Sequence, residues 1–527
     1  MTDPHSVRPT GVEGELVVDP AIQHPLGGIA ASGFRWNFAV TLGSKLVGFV
    51  SQLVLARLLL PEQFGAYAEA TIVMSFAVIL RDAVLPQILI SRQRELEGWI
   101  NPAFWISLML GFASALIMAV AAVVWQLRSN GSLVAGLLWM AALGSPFIAA
   151  GVVPTVILQV RLRFKLIAKI AAQMVLLNTA LSIGMAMLHC GAYSLMVPQV
   201  VTAVLRACIL FYLASPKIRW RMQFAKWIGL AQDSGMMILS SLGLVVVGQG
   251  DYIILTARYD KAIVGFYFFA FNLSLQIINL TSSSLAGVLS PTLARLNLER
   301  ERQVGAYLRA CKILAAIGAP ICTLQILLAR FAIVAIFGVR WADSVPLLQI
   351  LSAGMAFALV NSFAGSVLQT QGRFRTQALW TIVSTTAFVV LLRTGTGLFG
   401  VAGTAMAVSA YHILVGSVGM RLVVGRGGSW RQITWVFAPT VMACAVASLP
   451  ILALPQFLPN IYHDNTSPLL VLAVIGGCAS LFAFCYVICV RLFAKDIYLE
   501  VLSQFRHVAG VFGRFAKLLF IFESPST

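Results

Sequence analysis

The chain has 527 residues, of which 59% are hydrophobic and 11% are charged, and its formal net charge is +18. A soluble domain carries roughly 25% charged residues, so this composition excludes a set of soluble domains. Together with a mean hydropathy of +0.89, it predicts an all-α integral membrane protein, because helices satisfy their backbone hydrogen bonds within lipid.

The chain contains about fourteen apolar stretches close to the roughly 20 residues that a helix needs to cross a bilayer. Short connectors leave room for a re-entrant pair, so the prediction is twelve to fourteen transmembrane helices. In chain order they are predicted at 34–58, 63–90, 102–126, 133–157, 167–188, 192–214, 235–257, 263–291, 305–330, 345–369, 376–392, 398–420, 432–454 and 468–490.

These spans divide the chain into five predicted regions. Residues 1–30 are polar and rich in Pro and Gly, which is typical of a disordered tail. Residues 31–214 and 235–421 each hold six spans, and 432–490 hold two additional ones. The end of the chain, 495–527, has the pattern of a basic amphipathic helix that lies on the membrane surface or docks on the bundle or a partner.

Two sequence patterns recur in the two six-span regions. The pattern Leu-Gln-x-x-x-Arg-Phe at 158–164 is found again at 368–374, and Ala-Arg followed by Gly-x-Tyr occurs at 56–67 and 257–267. The pairs agree in order and in position relative to the apolar stretches. They therefore predict two related halves with a pseudo-two-fold axis, as in many transporters, rather than two loops of similar composition.

The basic residues predict the orientation. If the N-terminal tail is cytoplasmic and all fourteen segments cross, most of the 37 Lys and Arg residues fall on the cytoplasmic side, as the positive-inside rule requires. Both termini are therefore predicted to be cytoplasmic. Basic connectors that face anionic membrane lipids account for the net charge, and no recognition motif for nucleic acid is present.

The sequence offers little for catalysis. The eight Cys lie mostly within apolar segments, where Cys acts as a small hydrophobic residue, and the six His are scattered. We therefore predict no metal site and no cofactor. The chain has no phosphate-binding G-x-x-x-x-G-K-[ST] motif and no paired carboxylates or activated nucleophile, so we expect it not to be an enzyme.

Two predicted spans carry a stripe of polar residues on one helix face. Such a stripe faces protein or a water-filled cavity, because exposure to lipid would be costly. It lines a cavity or forms interhelical hydrogen bonds. The stripe of the first span is Asn37, Thr41, Ser44, Lys45, Gly48 and Gln52, and that of the eighth is Asn272, Gln276, Asn279 and Ser283.

Five ionisable residues fall at or inside predicted spans, where each costs about 2.5–3.5 kcal/mol to insert. Three are cations, Lys45, Arg81 and Arg206, which suit an anionic group such as a pyrophosphate. Alternatively, the side chain of Arg206 extends to the lipid headgroups on the cytoplasmic side. Two are acids, Asp82 and Asp251, which are candidates for a proton or sodium site or else cap or pair locally.

Three motifs in order resemble one family. Leu55-Ala-Arg-Leu-Leu-Leu-Pro-Glu-Gln-Phe-Gly-Ala-Tyr67 and Gln159-Val-Arg-Leu-Arg-Phe-Lys165 are similar to signatures of Wzx-type polysaccharide exporters. These belong to the MOP (multidrug/oligosaccharidyl-lipid/polysaccharide) superfamily. The third motif is Asp251-x6-Arg258, which leads to Val264-Gly-Phe-Tyr267 and then to Leu289-Ser-Pro-Thr-Leu293. The resemblance covers residues 30 to about 425.

The resemblance implies two six-helix lobes of the MATE/MOP type that face each other across a cavity lined by spans 1, 2, 7 and 8. It implies a flippase of the bacterial inner membrane that moves undecaprenyl-pyrophosphate-linked oligosaccharides outward by alternating access, for surface polysaccharide synthesis. Polysaccharide polymerase and chain-length proteins would be its partners. Lys45, Arg81 and Arg206 would then neutralise the pyrophosphate. The amides that would bind sugar hydroxyls are Asn37, Gln52, Asn272, Gln276 and Asn279.

Three other functions remain open at this point. A multidrug or small-solute antiporter of the same fold would favour an acidic cavity. A flippase for a lipid-linked peptidoglycan precursor would have a similar cavity charge. A membrane glycan polymerase or ligase would favour a large periplasmic loop with Arg or His, which the predicted connectors lack.

Overall fold

The computed structural model describes residues 43–81, 96–128, 133–161, 163–216, 242–276, 299–361, 364–425, 429–457 and 468–496, together with residues 86, 89, 218, 498, 499 and 502. Its elements are helices, which we number α1 to α15. They are α1 (43–58), α2 (Pro61–Arg81), α3 (Leu96–Arg128), α4 (Leu133–Ala150), α5 (Val152–Val160), α6 (Phe164–Met187), α7 (Tyr193–Ala214), α8 (Leu242–Thr256), α9 (261–276), α10 (Arg300–Ala332), α11 (Ser344–Asn361), α12 (Ala364–Thr370), α13 (Phe374–Val424), α14 (Trp430–Phe457) and α15 (Pro468–Phe493).

The helices confirm a multi-pass membrane protein. Eight of the described helical segments are long and apolar enough to cross a bilayer. Their outer faces expose large apolar side chains, such as Phe112, Leu116 and Val120 at successive turns of α3. Lipid tails solvate such side chains without cost. The exact number of fourteen spans remains a prediction.

Helix α13 contains two of the predicted spans. Phe399 and Gly400 leave the helical conformation, and Gly400 has φ +62°. On either side of this turn, Thr396 and Thr404 share a hydrogen bond of 2.8 Å, and an added Cβ on Gly403 would lie 1.9 Å from the carbonyl oxygen of Gly395. The chain therefore folds back tightly at residues 399–400. The turn comes just after the predicted connector 393–397, at the start of the predicted span 398–420.

We call residues 43–216 the first half and 242–425 the second half. In the first half, α3 packs on α4, while α4 and α6 both pack on α7; in the second, α11 packs on α10 and α13. The two additional helices, α14 and α15, pack on each other and on α10. Cys322, Cys444 and Cys478 are buried in that contact as small hydrophobic side chains.

The two copies of the Leu-Gln-x-x-x-Arg-Phe pattern have the same backbone conformation. The N–H of Arg163 donates to the carbonyl of Leu158, and the N–H of Arg373 donates to that of Leu368, both at 3.0 Å. The φ and ψ angles are −82° and 45° at Arg163 and −90° and 49° at Arg373. The equivalent turn at equivalent positions supports an internal repeat.

An arginine in each copy also secures the end of the last helix in its half. Nη1 of Arg161 donates to the carbonyl of Ala214 at 3.3 Å, and Nη1 of Arg373 donates to that of Leu422 at 2.6 Å. A cation near the carbonyl end of a helix also interacts favourably with the helix dipole. Burial and the neighbouring Arg300 lower the pKa of Arg373.

Candidate functional site

A cavity of about 900 Å³ lies inside the bundle and is lined mainly by the first half. Its walls come from α1, α2 and the helices α4 to α7, while the second half contributes Phe268 and Asn272. Much of the wall is apolar, with Leu55, Phe147 and Met174 among its residues. Polar side chains interrupt this surface at a few places, which is the usual arrangement in a ligand-binding cavity.

The two predicted polar stripes meet at this cavity. Gln52 of α1 and Asn272 of α9 both line it, and Nε2 of Gln276 donates to Oε1 of Gln52 across the two halves. Gln52 and Asn272 thus lie at the cavity, while Gln52 and Gln276 also join the halves. Asn37 and Asn279 lie outside the described residues.

Of the three predicted cations, the structure places Arg206 at the cavity. Among the described residues that line it, Arg206 on α7 is the one charged side chain. Lys45 lies on α1, seven residues before Gln52, and Arg81 is buried at the end of the described part of α2. Neither of the two lines the cavity, so their role in binding remains a prediction.

The structure adds polar residues that sequence reasoning missed. Gln199, Thr202 and Arg206 line the cavity from one face of α7, and their spacing of i, i+3 and i+7 is a polar stripe of the kind recognised elsewhere. Gln159 belongs to the repeated pattern and also lines the cavity.

Asn178 is a further missed residue. It lines the cavity from the middle of α6, and its Oδ1 is buried without a hydrogen bond from any described residue. Because a buried polar atom normally has a partner, this oxygen indicates a place for a ligand donor. A single Asn in an apolar span is the sequence signal that could have identified it.

One end of the cavity is closed by a contact between the halves. Tyr67 of α2 accepts a hydrogen bond of 2.8 Å from Nε2 of Gln199, and its ring contacts that of Phe268 edge-on, with centroids 5.8 Å apart. Tyr67 thus links two helices of the first half, α2 and α7, and its ring also contacts the second half. We call this the closed end; it is the end of the bundle where α1 meets α2 and α8 meets α9.

The repeated glycines form a pseudo-symmetric contact at the closed end. A Cβ added to Gly65 would lie 1.9 Å from the carbonyl oxygen of Lys261, and one added to Gly265 would lie 1.9 Å from that of Pro61. Pro61 and Lys261 each precede a repeated glycine by four residues. The backbones of α2 and α9 therefore approach as closely as only glycine permits, in the same way from both sides.

Asp251 is buried in the second half, away from the cavity lining. Its Oδ2 accepts a hydrogen bond of 2.7 Å from the hydroxyl of Tyr267, and its Oδ1 accepts one of 2.9 Å from the N–H of Tyr252. No described Lys or Arg side chain interacts electrostatically with its carboxyl group. A buried carboxyl group without a cationic partner is costly. Asp82 lies outside the described residues.

These features define the class of the protein. A helical membrane bundle in which two sequence patterns recur with the same backbone turn, around an internal cavity, is typical of a membrane transporter. A family model described as polysaccharide biosynthesis protein matches residues 54–346, which is more than half of the chain. The chain belongs to this family.

Named relatives agree with the resemblance to Wzx-type exporters. The succinoglycan biosynthesis transport protein ExoT of Rhizobium meliloti (strain 1021) is 26% identical over 317 residues, which cover 60% of this chain and 64% of that protein. The lipopolysaccharide biosynthesis protein WzxC of Escherichia coli (strain K12) is 21% identical over 415 residues, which cover 76% of this chain and 82% of that protein. The alignment thus spans slightly under two thirds of ExoT.

Solved structures show the same fold. The lipid II flippase MurJ in an inward closed conformation has a TM-score of 0.68 at 15% identity and covers 87% of this chain and 99% of its own. An inward-facing multidrug resistance MATE transporter of the MOP superfamily has a TM-score of 0.52 at 17% identity, and the match covers 76% of this chain and 94% of that transporter. At these identities the likeness shows the fold. The prediction that the chain is not an enzyme agrees with ExoT, which is named as a transport protein.

Proposed function

We propose that the protein is a flippase that moves polyprenyl-pyrophosphate-linked oligosaccharides across the bacterial inner membrane for surface polysaccharide synthesis. The observation that supports this most is the cavity itself. Its described lining combines one cation, Arg206, with amides and apolar walls, in a chain of the polysaccharide biosynthesis family. Its named relatives act in the synthesis of succinoglycan and lipopolysaccharide.

The chemistry of the cavity matches the head of such a lipid. Arg206 offers several N–H donors in a plane, which suits the oxygens of a pyrophosphate. Gln52, Asn178 and Asn272 offer amide groups to sugar hydroxyls, and the buried Oδ1 of Asn178 needs a donor of that kind. The apolar wall accommodates the non-polar faces of sugar rings. Lys45 and Arg81 would add positive charge near the entrance.

The two halves act as the two six-helix lobes of an alternating-access transporter. With both termini in the cytoplasm, the closed end faces the periplasm, so this state receives cargo from the cytoplasmic side. The lobes then separate at the closed end and approach each other at the opposite end. The helices of residues 432–490 flank the second lobe. On the periplasmic side, polysaccharide polymerase and chain-length proteins receive the translocated oligosaccharide.

Directional transport needs a source of free energy, because cargo binding alone cannot drive net movement across the membrane. Asp251 is the described candidate for coupling to a proton or sodium gradient. It is buried, and its hydrogen bonds come from a tyrosine hydroxyl and a backbone N–H. Its position outside the cavity separates ion binding from cargo binding. Asp82 remains the second candidate.

The test is a deletion strain in which lipid-linked oligosaccharides are extracted and assigned to a leaflet. Complete lipid-linked repeat units should accumulate in the cytoplasmic leaflet of the inner membrane, and the wild-type gene should restore export. Arg206→Ala should lower export at least about tenfold, as expected when a charged hydrogen-bond partner is lost, whereas Arg206→Lys should keep part of it. Arg393→Ala is the matched control, because Arg393 is exposed on α13 and does not line the cavity.

Other outcomes would replace the proposal. Accumulation of a peptidoglycan precursor would assign the cargo to that pathway. Single repeat units that reach the periplasmic leaflet but are not joined into chains would assign a polymerase or ligase. Normal export in the deletion strain together with lost drug resistance would assign a drug antiporter.

A further inference from the structure

The segment between α10 and α11 reaches from the second half to the first at the closed end. It consists of a π-helix, Ile333–Phe337, and a 3₁₀-helix, Val339–Trp341, separated by Gly338 with φ +98°. Short π-helical segments inside longer helices occur frequently at functional sites. We call residues 333–341 the crossing segment.

The crossing segment and the end of α1 exchange hydrogen bonds in both directions. Nη2 of Arg57 donates to the carbonyl of Ala335 at 2.8 Å, and its Nε donates to that of Ile336. In return, Nε1 of Trp341 donates to the carbonyl of Ala56 at 2.8 Å, and Arg340 donates to that of Arg57. Each side therefore satisfies carbonyl groups that its partner's helix end leaves without N–H donors.

Trp341 is completely buried between aromatic rings of both halves. Phe64 of α2 contacts it edge-on with centroids 5.4 Å apart. From α9, Phe269 lies at 4.3 Å and Phe266 at 6.0 Å. Separating the halves at the closed end would expose the indole ring and leave its N–H without the Ala56 carbonyl. Both changes are unfavourable in a membrane protein.

The contact is asymmetric although the sequence repeats. Arg258 is the counterpart of Arg57 in the second repeat, and it too follows an alanine at the end of a helix. Arg258 is exposed and makes no side-chain hydrogen bond among the described residues. One arginine of the pair is thus engaged across the halves and the other is not, which gives a matched control within the chain.

We propose that the crossing segment is a latch in which Arg57, Arg340 and Trp341 act as positioning residues that hold the closed end shut and set how readily it opens. This inference rests on the proposed function, because opening of this end is the step that would release the cargo. The latch acts by its bonds across the halves, and the carbonyl groups that accept them belong to described residues that do not line the cavity. The ring of Trp341 contacts one lining residue, Phe64.

The test measures distances between spin labels in the full chain, in a background where the eight Cys are replaced by Ala. One label pair reports on the closed end, at the exposed Leu188 and Leu398. A second pair reports on the opposite end, at the exposed Lys165 and Arg375. Trp341→Phe keeps an aromatic ring but loses the indole donor, and Arg57→Gln loses the paired donors of the guanidinium group.

Each variant should raise the ratio of long to short distances at the closed end by about fivefold. This is the change in an equilibrium constant that the loss of one hydrogen bond produces. The double variant should raise it further. Arg258→Gln and Trp139→Phe are the controls and should leave the distribution as in the wild type, because Arg258 makes no side-chain hydrogen bond among the described residues and Trp139 is exposed on α4 of the first half. Unchanged distances in the double variant, in folded and monodisperse protein, would overturn the latch.

The readout separates this inference from the proposed function. The distances are recorded without cargo, so they remain informative if the wild type proves to move a different lipid. Conversely, export that depends on Arg206 would stand even if the latch variants keep the closed end shut. If Trp341→Phe does not fold, Arg57→Gln decides the question, because Arg57 is an exposed side chain.

Discussion

Replacing Gly65 with alanine should force the two halves apart at the closed end. The added Cβ would lie 1.9 Å from the carbonyl oxygen of Lys261, whereas ordinary contact begins at 3.4 Å. The backbones of α2 and α9 would have to separate by about 1.5 Å. Overpacking of this kind costs about 1–3 kcal/mol, which lowers the ratio of closed to open molecules about 5- to 150-fold.

The label pair Leu188 and Leu398 measures this ratio directly. Gly65→Ala should shift its distances to longer values, and the pair Lys165 and Arg375 should shift to shorter ones if the ends alternate. Gly265→Ala should have the same effect, because its Cβ would meet the carbonyl of Pro61 at the same 1.9 Å. The double variant should not close at this end.

The controls for this prediction are Gly184→Ala and Gly248→Ala. Both glycines lie within helices and have no atom within 4 Å of an added Cβ. Alanine favours a helix by about 1 kcal/mol over glycine, so all four substitutions stabilise their own helix, and a difference between them reports on the contact alone. Distances that stay at wild-type values in Gly65→Ala would show that the close approach does not hold the halves together.

Three further predictions concern single residues. Asp251→Asn should remove the dependence of flipping on an imposed proton or sodium gradient in proteoliposomes; a rate that still follows the gradient would exclude Asp251 as the coupling site. Arg373→Gln should lower the free energy of unfolding by about 2 kcal/mol, read as a lower Tm in detergent, because the bond to the Leu422 carbonyl is lost; the exposed Arg375→Gln should change it by less than about 0.5 kcal/mol. Asn178→Leu should weaken cargo binding about tenfold without lowering the Tm, since its Oδ1 has no described partner to lose; a lower Tm with unchanged binding would make Asn178 a structural residue.

Hydropathy and periodicity predicted the features that depend on neighbouring residues along the chain. The described helices lie near the expected apolar stretches, and the Phe399–Gly400 turn lies within a few residues of the predicted connector 393–397. The polar stripe that ends at Gln52 was recognised from helical spacing alone, and two of its residues, Gly48 and Gln52, line the cavity. A helix repeats every 3.6 residues, so such a face can be read before the fold is known.

Long-range contacts were beyond such reasoning. The sequence showed that Gly65 and Gly265 recur, but not that each packs against the backbone that precedes the other. It marked Arg57 as part of a repeated pattern without revealing its bonds to the crossing segment, which lies 278 residues away along the chain. It also grouped Lys45 with Arg206, although only Arg206 reaches the cavity.

Composition and spacing were enough to identify a multi-pass helical membrane protein and to predict an internal repeat, because they record which surfaces lipid and protein must cover. The transporter function followed from motifs that resemble a family of exporters. The position of the cavity and the residues that close it became known from the fold. Those properties depend on how the two halves approach each other, and an approach as close as that of Gly65 and Gly265 is a property of three-dimensional packing that no local pattern specifies.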